Sequence, residues 1–407
     1  MTGSTTPSAR TADTVAVVLD LADEVVVRCV RDVHAAVLRT TVSALPRALP
    51  GVPLVAGAHR VVSGAVYASV SQALRAGGRA ARHASRNGVG APVEQTPRSR
   101  RLRSVLNAGA GDRLAERHDR YALSMTVRSR GGDVRLASES LGAAYPEATD
   151  ELVVFVHGLG ESDESWLRRH TGRGSTYAEE VLDAGVATPV ILRYNTGRHV
   201  SDSGADLSAV LGRLVETWPQ PVRRIHLVGH SMGGLVIRSA AAQATTQRSP
   251  WVGLVATLVS LGTPHRGAPL EQAVHLASNA LHVAGPSRPF AELLDQRSAG
   301  IVDLRHGHTS ASDWRGRDLA RQWGAGVAPL APLPHVDHHV VVAAALPGPD
   351  TPLSRWIGDL VVPVGSASGV TAGRALVPTA TVHQVRGTHP ALLNHPEVAV
   401  LLRSWLR

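Results

Sequence analysis

The chain contains no lysine and one cysteine, Cys29. A lone thiol closes no intramolecular disulfide, which excludes a stapled secreted scaffold and fits a reducing compartment. No apolar run approaches the roughly eighteen residues a spanning helix needs, and no basic segment with an apolar core opens the chain. The expected location is therefore cytoplasmic, with peripheral association to a membrane or lipid inclusion left open. Aromatic residues make up only 3% of the chain. Without aromatic interleaving or a docking motif, no nucleic-acid partner is expected.

Charge and histidine are present in quantity. The formal net charge is +9. Residues 1–130 hold 19 arginines against 9 acids, whereas residues 131–407 hold 23 against 24, so the excess is confined to the amino-terminal third. Twenty histidines include His306, His308, His335, His338 and His339. Neither group has cysteine or carboxylate neighbours at a recognised ligand spacing, and no metal or other cofactor is expected.

The amino-terminal region reads as amphipathic helix. Val15, Val18, Leu19, Ala22, Val25, Val26, Cys29, Val30, Val33 and Val37 recur at helical steps, and Val62, Ala65, Val66, Ser69, Val70, Ala73 and Leu74 repeat the pattern after Pro46, Pro50 and Pro53. Arg75, Arg79, Arg82 and Arg86 extend the second helix as a basic ridge. Two readings stand: a hairpin packing on itself or on the rest of the chain, or an apolar stripe lying on an anionic lipid surface. Residues 91–118, rich in Arg, Gly, Ser and Pro, read as a linker.

Beyond it, a hairpin at Tyr121 to Ser138 leads into apolar runs that read as parallel strands alternating with helices: 152–156, 190–194, 225–228, 255–261, 340–345 and 382–386. The run ending at Val228 continues into Gly229-His230-Ser231-Met232-Gly233-Gly234. That is a G-x-S-x-G bend between a buried strand and an apolar helix, which projects a serine hydroxyl toward solvent. An activated serine needs a base, a carboxylate behind it and donors for an oxyanion. His157-Gly158-Leu159-Gly160 follows the first parallel strand, so the backbone N–H groups of Leu159 and Met232 are the expected donors. Asp359 and His389 follow in the order Ser, Asp, His, with Asp359 orienting His389 and His389 moving the Ser231 proton. Asp350 competes for the acid and His395 for the base. Asp350 lies in a proline-rich turn, and His395 with Pro396 reads as the start of the terminal helix.

These segments, with Leu261-Gly262-Thr263-Pro264-His265-Arg266-Gly267-Ala268 and Gly358-Asp359-Leu360-Val361-Val362-Pro363-Val364, resemble serine lipases and esterases of the α/β-hydrolase superfamily. They most resemble the branch shared by GPI inositol-deacylase-like proteins and bacterial triacylglycerol lipases. The resemblance spans roughly residues 120–407. It implies an α/β-hydrolase fold, a mostly parallel sheet with helices on both faces and a lid insertion. It also implies hydrolysis of a carboxylic ester, of lipid type, with Ser231, Asp359, His389, Leu159 and Met232 in the roles above. The chain departs from the family in carrying Leu360 where glycine is usual.

The expected organisation is an amphipathic helical region over 1–90, a linker over 91–118 and a hydrolase domain over 119–407, with a lid-like insertion at about 268–335. The expected activity is ester hydrolysis through an acyl-enzyme, on a small-molecule or lipid ester. Acyl transfer with the same triad, and a non-catalytic protein binding lipid surfaces, are the alternatives.

Overall fold

The computed structural model describes residues 9–27, 31, 52–168, 174–268, 298–316, 333, 335–346, 351–371, 374–377 and 379–406. Two compact units are present: one lies within the first 99 residues, and the other begins at Arg100.

In the first unit, α1 (Thr11–Leu21) continues as a π turn over Ala22–Val27, and α2 (Val52–Arg86) is a helix of 35 residues without an acid. Ala16, Val17 and Leu21 of α1 are buried. The α2 side that meets them is glycine- and serine-rich: Gly77 leaves space taken by Leu19, and the Ser85 hydroxyl donates to Asp13 at 2.6 Å. Arg75 binds Asp23 at 2.7 Å and Arg82 binds Asp20, so two members of the expected basic ridge are paired within the unit. The valines of the stripe stay exposed, Val62 at 63%, Val66 at 54% and Val70 at 44%. Small residues allow closer helix approach, and the acids of α1 hold the arginines on the inner side. Cys29, Val30, Val33 and Val37 lie outside the described residues.

The expected linker at 91–118 is structured instead. A 3-10 turn spans Val93–Gln95, and α3 (Pro97–Glu116) occupies most of the remainder. Arginine is a good helix former, and burial outweighs the loop-like composition. Arg103 donates to the carbonyls of Tyr121 (3.0 Å), Arg120 (2.8 Å) and Ala122 (3.0 Å). Asn107, fully buried, donates to Tyr121 O at 3.0 Å and accepts from Leu123 N–H at 2.8 Å. Asn107→Leu is expected to cost about 2–3 kcal/mol by leaving buried backbone groups unmatched. Urea unfolding of the full chain measures it, and an unchanged midpoint would contradict the docking of α3.

The second unit continues with β1 (Thr126–Ser129), β2 (Gly132–Val134), α4 (Ser138–Ala144), β3 (Glu151–Val156), α5 (Tyr177–Asp183), β4 (Thr188–Arg193), α6 (Val200–Thr217), β5 (Arg224–His230), α7 (Met232–Gln247) and β6 (Val255–Leu261). It ends with α8 (Ala299–His306), β7 (Asp337–Ala344), α9 (Pro352–Ile357), α10 (Val364–Ala367), a small hairpin of β8 (Val370–Thr371) and β9 (Arg374–Ala375), β10 (Thr381–Arg386) and α11 (Pro396–Trp405). Eight strands form one sheet in the order β10-β7-β6-β5-β3-β4-β1-β2. β1 pairs antiparallel with β2 and β4, and the remaining pairs are parallel. Leu152, Val154 and Val156 enter the core that includes residues of α6 and α7, whereas Val153 and Phe155 enter the core that includes residues of α5 and α11. Apolar side chains on both faces explain why β3 reads as an unbroken hydrophobic run.

Of the expected lid, residues 269–297 and 317–332, including the segment from Leu270 to Leu281, lie outside the described residues, as does Asp350. The part at 298–316 is anchored to the second unit. Ser298 Oγ donates to Ala108 O at 2.6 Å, and Gly300 N–H donates to Gly197 O at 3.0 Å. The Asp303 carboxylate accepts from Val200 N–H at 2.8 Å and bonds the His199 and His308 rings at 3.0 and 3.2 Å. Among the described residues no helix is long and apolar enough to cross a membrane.

Candidate active site

Parallel register brings the carboxyl ends of five strands to one edge. Val156 of β3 pairs with Gly229 of β5, His230 pairs with Leu261 of β6, and Leu261 pairs with Val341 of β7. β10 pairs with β7 out to Ala344 and Arg386. The turns that follow these strands carry the residues singled out from the sequence.

Ser231 sits between β5 and α7 with φ 53° and ψ −122°. A side chain in that region costs about 1–3 kcal/mol, and such strain concentrates where geometry serves chemistry. The bend is held by the Ser231 N–H bond to Leu261 O at 2.8 Å. It also requires Gly233, where an added Cβ would fall 2.2 Å from Val156 O. Ser231 as a whole residue is only 6% exposed.

Asp359 and His389 are brought together. His389 Nδ1–H donates to Asp359 Oδ2 at 2.6 Å, and the His389 backbone N–H donates to Asp359 O at 2.9 Å. The other carboxylate oxygen accepts from Val361 and Val362 N–H at 3.0 and 2.8 Å, which aims Oδ2 at the ring. Leu360, the departure from the resembled pattern noted above, adopts φ 80° with its side chain half exposed. The turn thus keeps the left-handed conformation that glycine would take at less strain.

One short segment joins this pair to the serine. Leu261 supplies the carbonyl that holds Ser231 N–H, and its neighbour Gly262 packs against the acid and base. At Gly262, with φ 58°, an added Cβ would lie 3.1 Å from both Asp359 Oδ2 and His389 Nδ1. Any larger residue would press between them. His395, the competing base, is engaged elsewhere: its Nε2 bonds Arg386 O at 3.0 Å and its backbone N–H bonds the Tyr177 hydroxyl at 2.6 Å.

The turn after β3 is fixed from several sides. Gly158 N–H donates to Glu161 Oε2 at 2.7 Å and Gly160 N–H to Thr196 Oγ1 at 3.2 Å, flanking Leu159. Met232 opens α7, where helix geometry provides no internal acceptor for the N–H. An added Cβ on Gly158 would stand 3.0 Å from Ser231 Cβ, so this turn lies directly against the bend. His157 accepts Tyr194 N–H at Nε2 (3.3 Å) and stacks on the Tyr194 ring, with centroids 4.5 Å apart. Burial lowers its pKa and holds it neutral.

Sequence reasoning missed Glu161. Its Oε2 also meets His230 Nδ1 at 3.0 Å, and His230 Nε2 meets His389 O at 3.1 Å. Burial works against charge on both, yet the mutual attraction prevails: Glu161 is lowered to about 2 and His230 is raised. The carboxylate's contribution to stability is present above its ordinary 4.5 and is lost as pH falls toward about 2. The imidazole's is full below its ordinary 6.5 and is lost as pH rises through the raised value. A carboxylate next to the glycine turn after β3 was visible in the sequence, but no spacing rule links it to a histidine 69 positions away.

Residues 147–285 match the PGAP1-like alpha/beta domain family. No curated relative matches the chain in sequence. Among solved structures, the mature Bacillus licheniformis lipase BlEst2 is 20% identical, over 62% of this chain and 91% of that one, with a TM-score of 0.41. A Pyrococcus furiosus esterase is 16% identical, over 64% and 84%, with a TM-score of 0.36. A bacterial membrane phospholipase A, described as a virulence factor, is 18% identical, over 76% and 89%, with a TM-score of 0.39.

Proposed function

We propose, for a chain that carries a PGAP1-like alpha/beta domain of the α/β-hydrolase superfamily, that it is a serine hydrolase of carboxylic esters. Ser231 Oγ attacks the ester carbonyl while His389 Nε2 takes its proton. The N–H groups of Leu159 and Met232 bind the oxyanion that forms. The carbon–oxygen bond to the alcohol then breaks, and His389 returns the proton to the departing alkoxide. Water repeats the sequence on the acyl-serine, releasing the acid and regenerating Ser231. Asp359 keeps the imidazole proton on Nδ1 and stabilises the ring when it is charged. No cofactor enters any step.

The observation that carries this reading is the Asp359–His389 bond, built against the same Leu261–Gly262 segment that holds Ser231 N–H. The test combines two measurements on the full chain. An alkyl fluorophosphonate should attach to Ser231 alone, and p-nitrophenyl esters of graded acyl length should be turned over. Labelling at another residue, or no turnover at any chain length, would reject the proposal.

For the lipid nature of the substrate, the support lies in α2. Val62, Val66 and Val70 are exposed on it, Arg79 and Arg86 are exposed farther along the same helix, and it holds no acid in 35 residues. A helix that exposes apolar side chains and carries arginines without acids suits the boundary of an anionic bilayer. The pair of changes Val62→Asp and Val66→Asp is expected to reduce co-sedimentation with phosphatidylserine-containing vesicles by about tenfold. Equal partitioning of variant and parent would end the lipid-surface reading and leave ester hydrolysis untouched.

A further inference from the structure

Behind the nucleophile lies a second histidine–carboxylate pair that the reaction above does not use. His230 is fully buried beside Ser231. Both of its ring nitrogens face oxygen acceptors, Glu161 Oε2 at Nδ1 (3.0 Å) and the His389 backbone carbonyl at Nε2 (3.1 Å). A carbonyl oxygen can only accept, so Nε2 carries a proton. Glu161 Oε2 already accepts Gly158 N–H at 2.7 Å. As a carboxylate it can only accept from Nδ1 as well. A neutral imidazole has one N–H and would leave one of these contacts without a hydrogen.

Resting on the proposed hydrolase reading, we infer that His230 is an imidazolium through the neutral pH range, and that it and Glu161 are positioning residues tying the oxyanion turn to the loop of the base. Glu161 fixes the Gly158 N–H and so orients the next peptide, whose Leu159 N–H is an oxyanion donor. His230 fixes the His389 carbonyl and so sets the base relative to Ser231. One ion pair thereby couples two halves of the site that approach from different strands. The titratable groups facing His230 are Glu161, His389 and Asp359, and the Trp166 ring meets it edge-on with centroids 6.3 Å apart. The rings of His230 and His389 have centroids 4.7 Å apart. An unpaired cation there would oppose the charge that His389 gains in the reaction, whereas the paired one is offset by Glu161.

The test has two arms on the full chain. With ring-15N histidine, the His230 signals, assigned by their loss in His230→Asn or by contact with the Trp166 ring, should show both nitrogens protonated at about pH 8, where ordinary imidazoles are neutral. Glu161→Gln should return the ring to the neutral form. A single protonated nitrogen in the parent protein at that pH overturns the inference, and this arm stands whether or not the chain hydrolyses esters.

In the kinetic arm, Glu161→Gln is expected to lower kcat for p-nitrophenyl butyrate by about tenfold to a hundredfold with KM within about twofold. Binding of an alkyl boronic acid, which mimics the tetrahedral intermediate at Ser231, should weaken by the same factor. A purely structural role would lower the folded fraction and leave inhibitor affinity unchanged in the molecules that remain folded. Unchanged kcat and unchanged inhibitor affinity with a neutralised His230 would refute the positioning role, while absence of turnover in the parent would refute the hydrolase reading instead.

Discussion

Ser231→Ala is expected to lower kcat/KM for p-nitrophenyl esters by about 10⁴-fold or more, which corresponds to about 5.5 kcal/mol of lost transition-state stabilisation. The change removes one oxygen from a residue that is only 6% exposed and keeps the Cβ on the same strained backbone. The bond from residue 231 N–H to Leu261 O uses no side-chain atom and should persist. Thermal midpoints of parent and variant should therefore agree within about 2 °C. Residual turnover would come from the oxyanion donors and from binding alone. A variant retaining a tenth of the parent activity would show that another group makes the covalent bond.

Asp359→Asn is expected to lower kcat by about 10⁴-fold with little change in KM. Val361 and Val362 N–H groups hold Oδ1 at 3.0 and 2.8 Å, so an asparagine would keep its carbonyl oxygen there and turn its NH₂ toward the ring. That NH₂ is a donor facing Nδ1, which must then give up its proton and become the acceptor. The imidazole proton moves to Nε2, where it blocks acceptance of the Ser231 proton. Asp359→Ala should be similarly slow for a different reason, since it leaves the ring without support. Near-parent turnover in both variants would remove Asp359 from the mechanism.

The legible parts of this chain were those where local pattern and tertiary environment agree. β3, β5 and β6 read correctly because both sheet faces are covered and apolar residues dominate their buried centres. The turns after those strands carry glycines that only close backbone packing explains, which made the surroundings of Ser231 readable. Asp359 and His389, 30 residues apart and bonded at 2.6 Å, were reachable because a parallel sheet sets the order in which its loops arrive at one edge. α3 was not legible. Its arginines, glycines and serines suggest a loop, and what makes it a helix is Arg103 and Asn107 satisfying carbonyl and N–H groups at residues 120–123. The valine stripe of α2 was recognised as apolar, but periodicity alone does not reveal that Val62, Val66 and Val70 stay exposed while Gly77 and Ser85 meet α1.

The backbone at position 231, with φ 53° and ψ −122°, also limits which nucleophiles this scaffold can host. Threonine offers the same alcohol, yet its second substituent on Cβ makes positive φ a severe steric outlier. Cysteine has an unbranched Cβ like serine and can occupy the bend without that clash. The choice of reactive atom is thus filtered by stereochemistry before reactivity is weighed: evolution could exchange oxygen for sulfur here more readily than one alcohol for another.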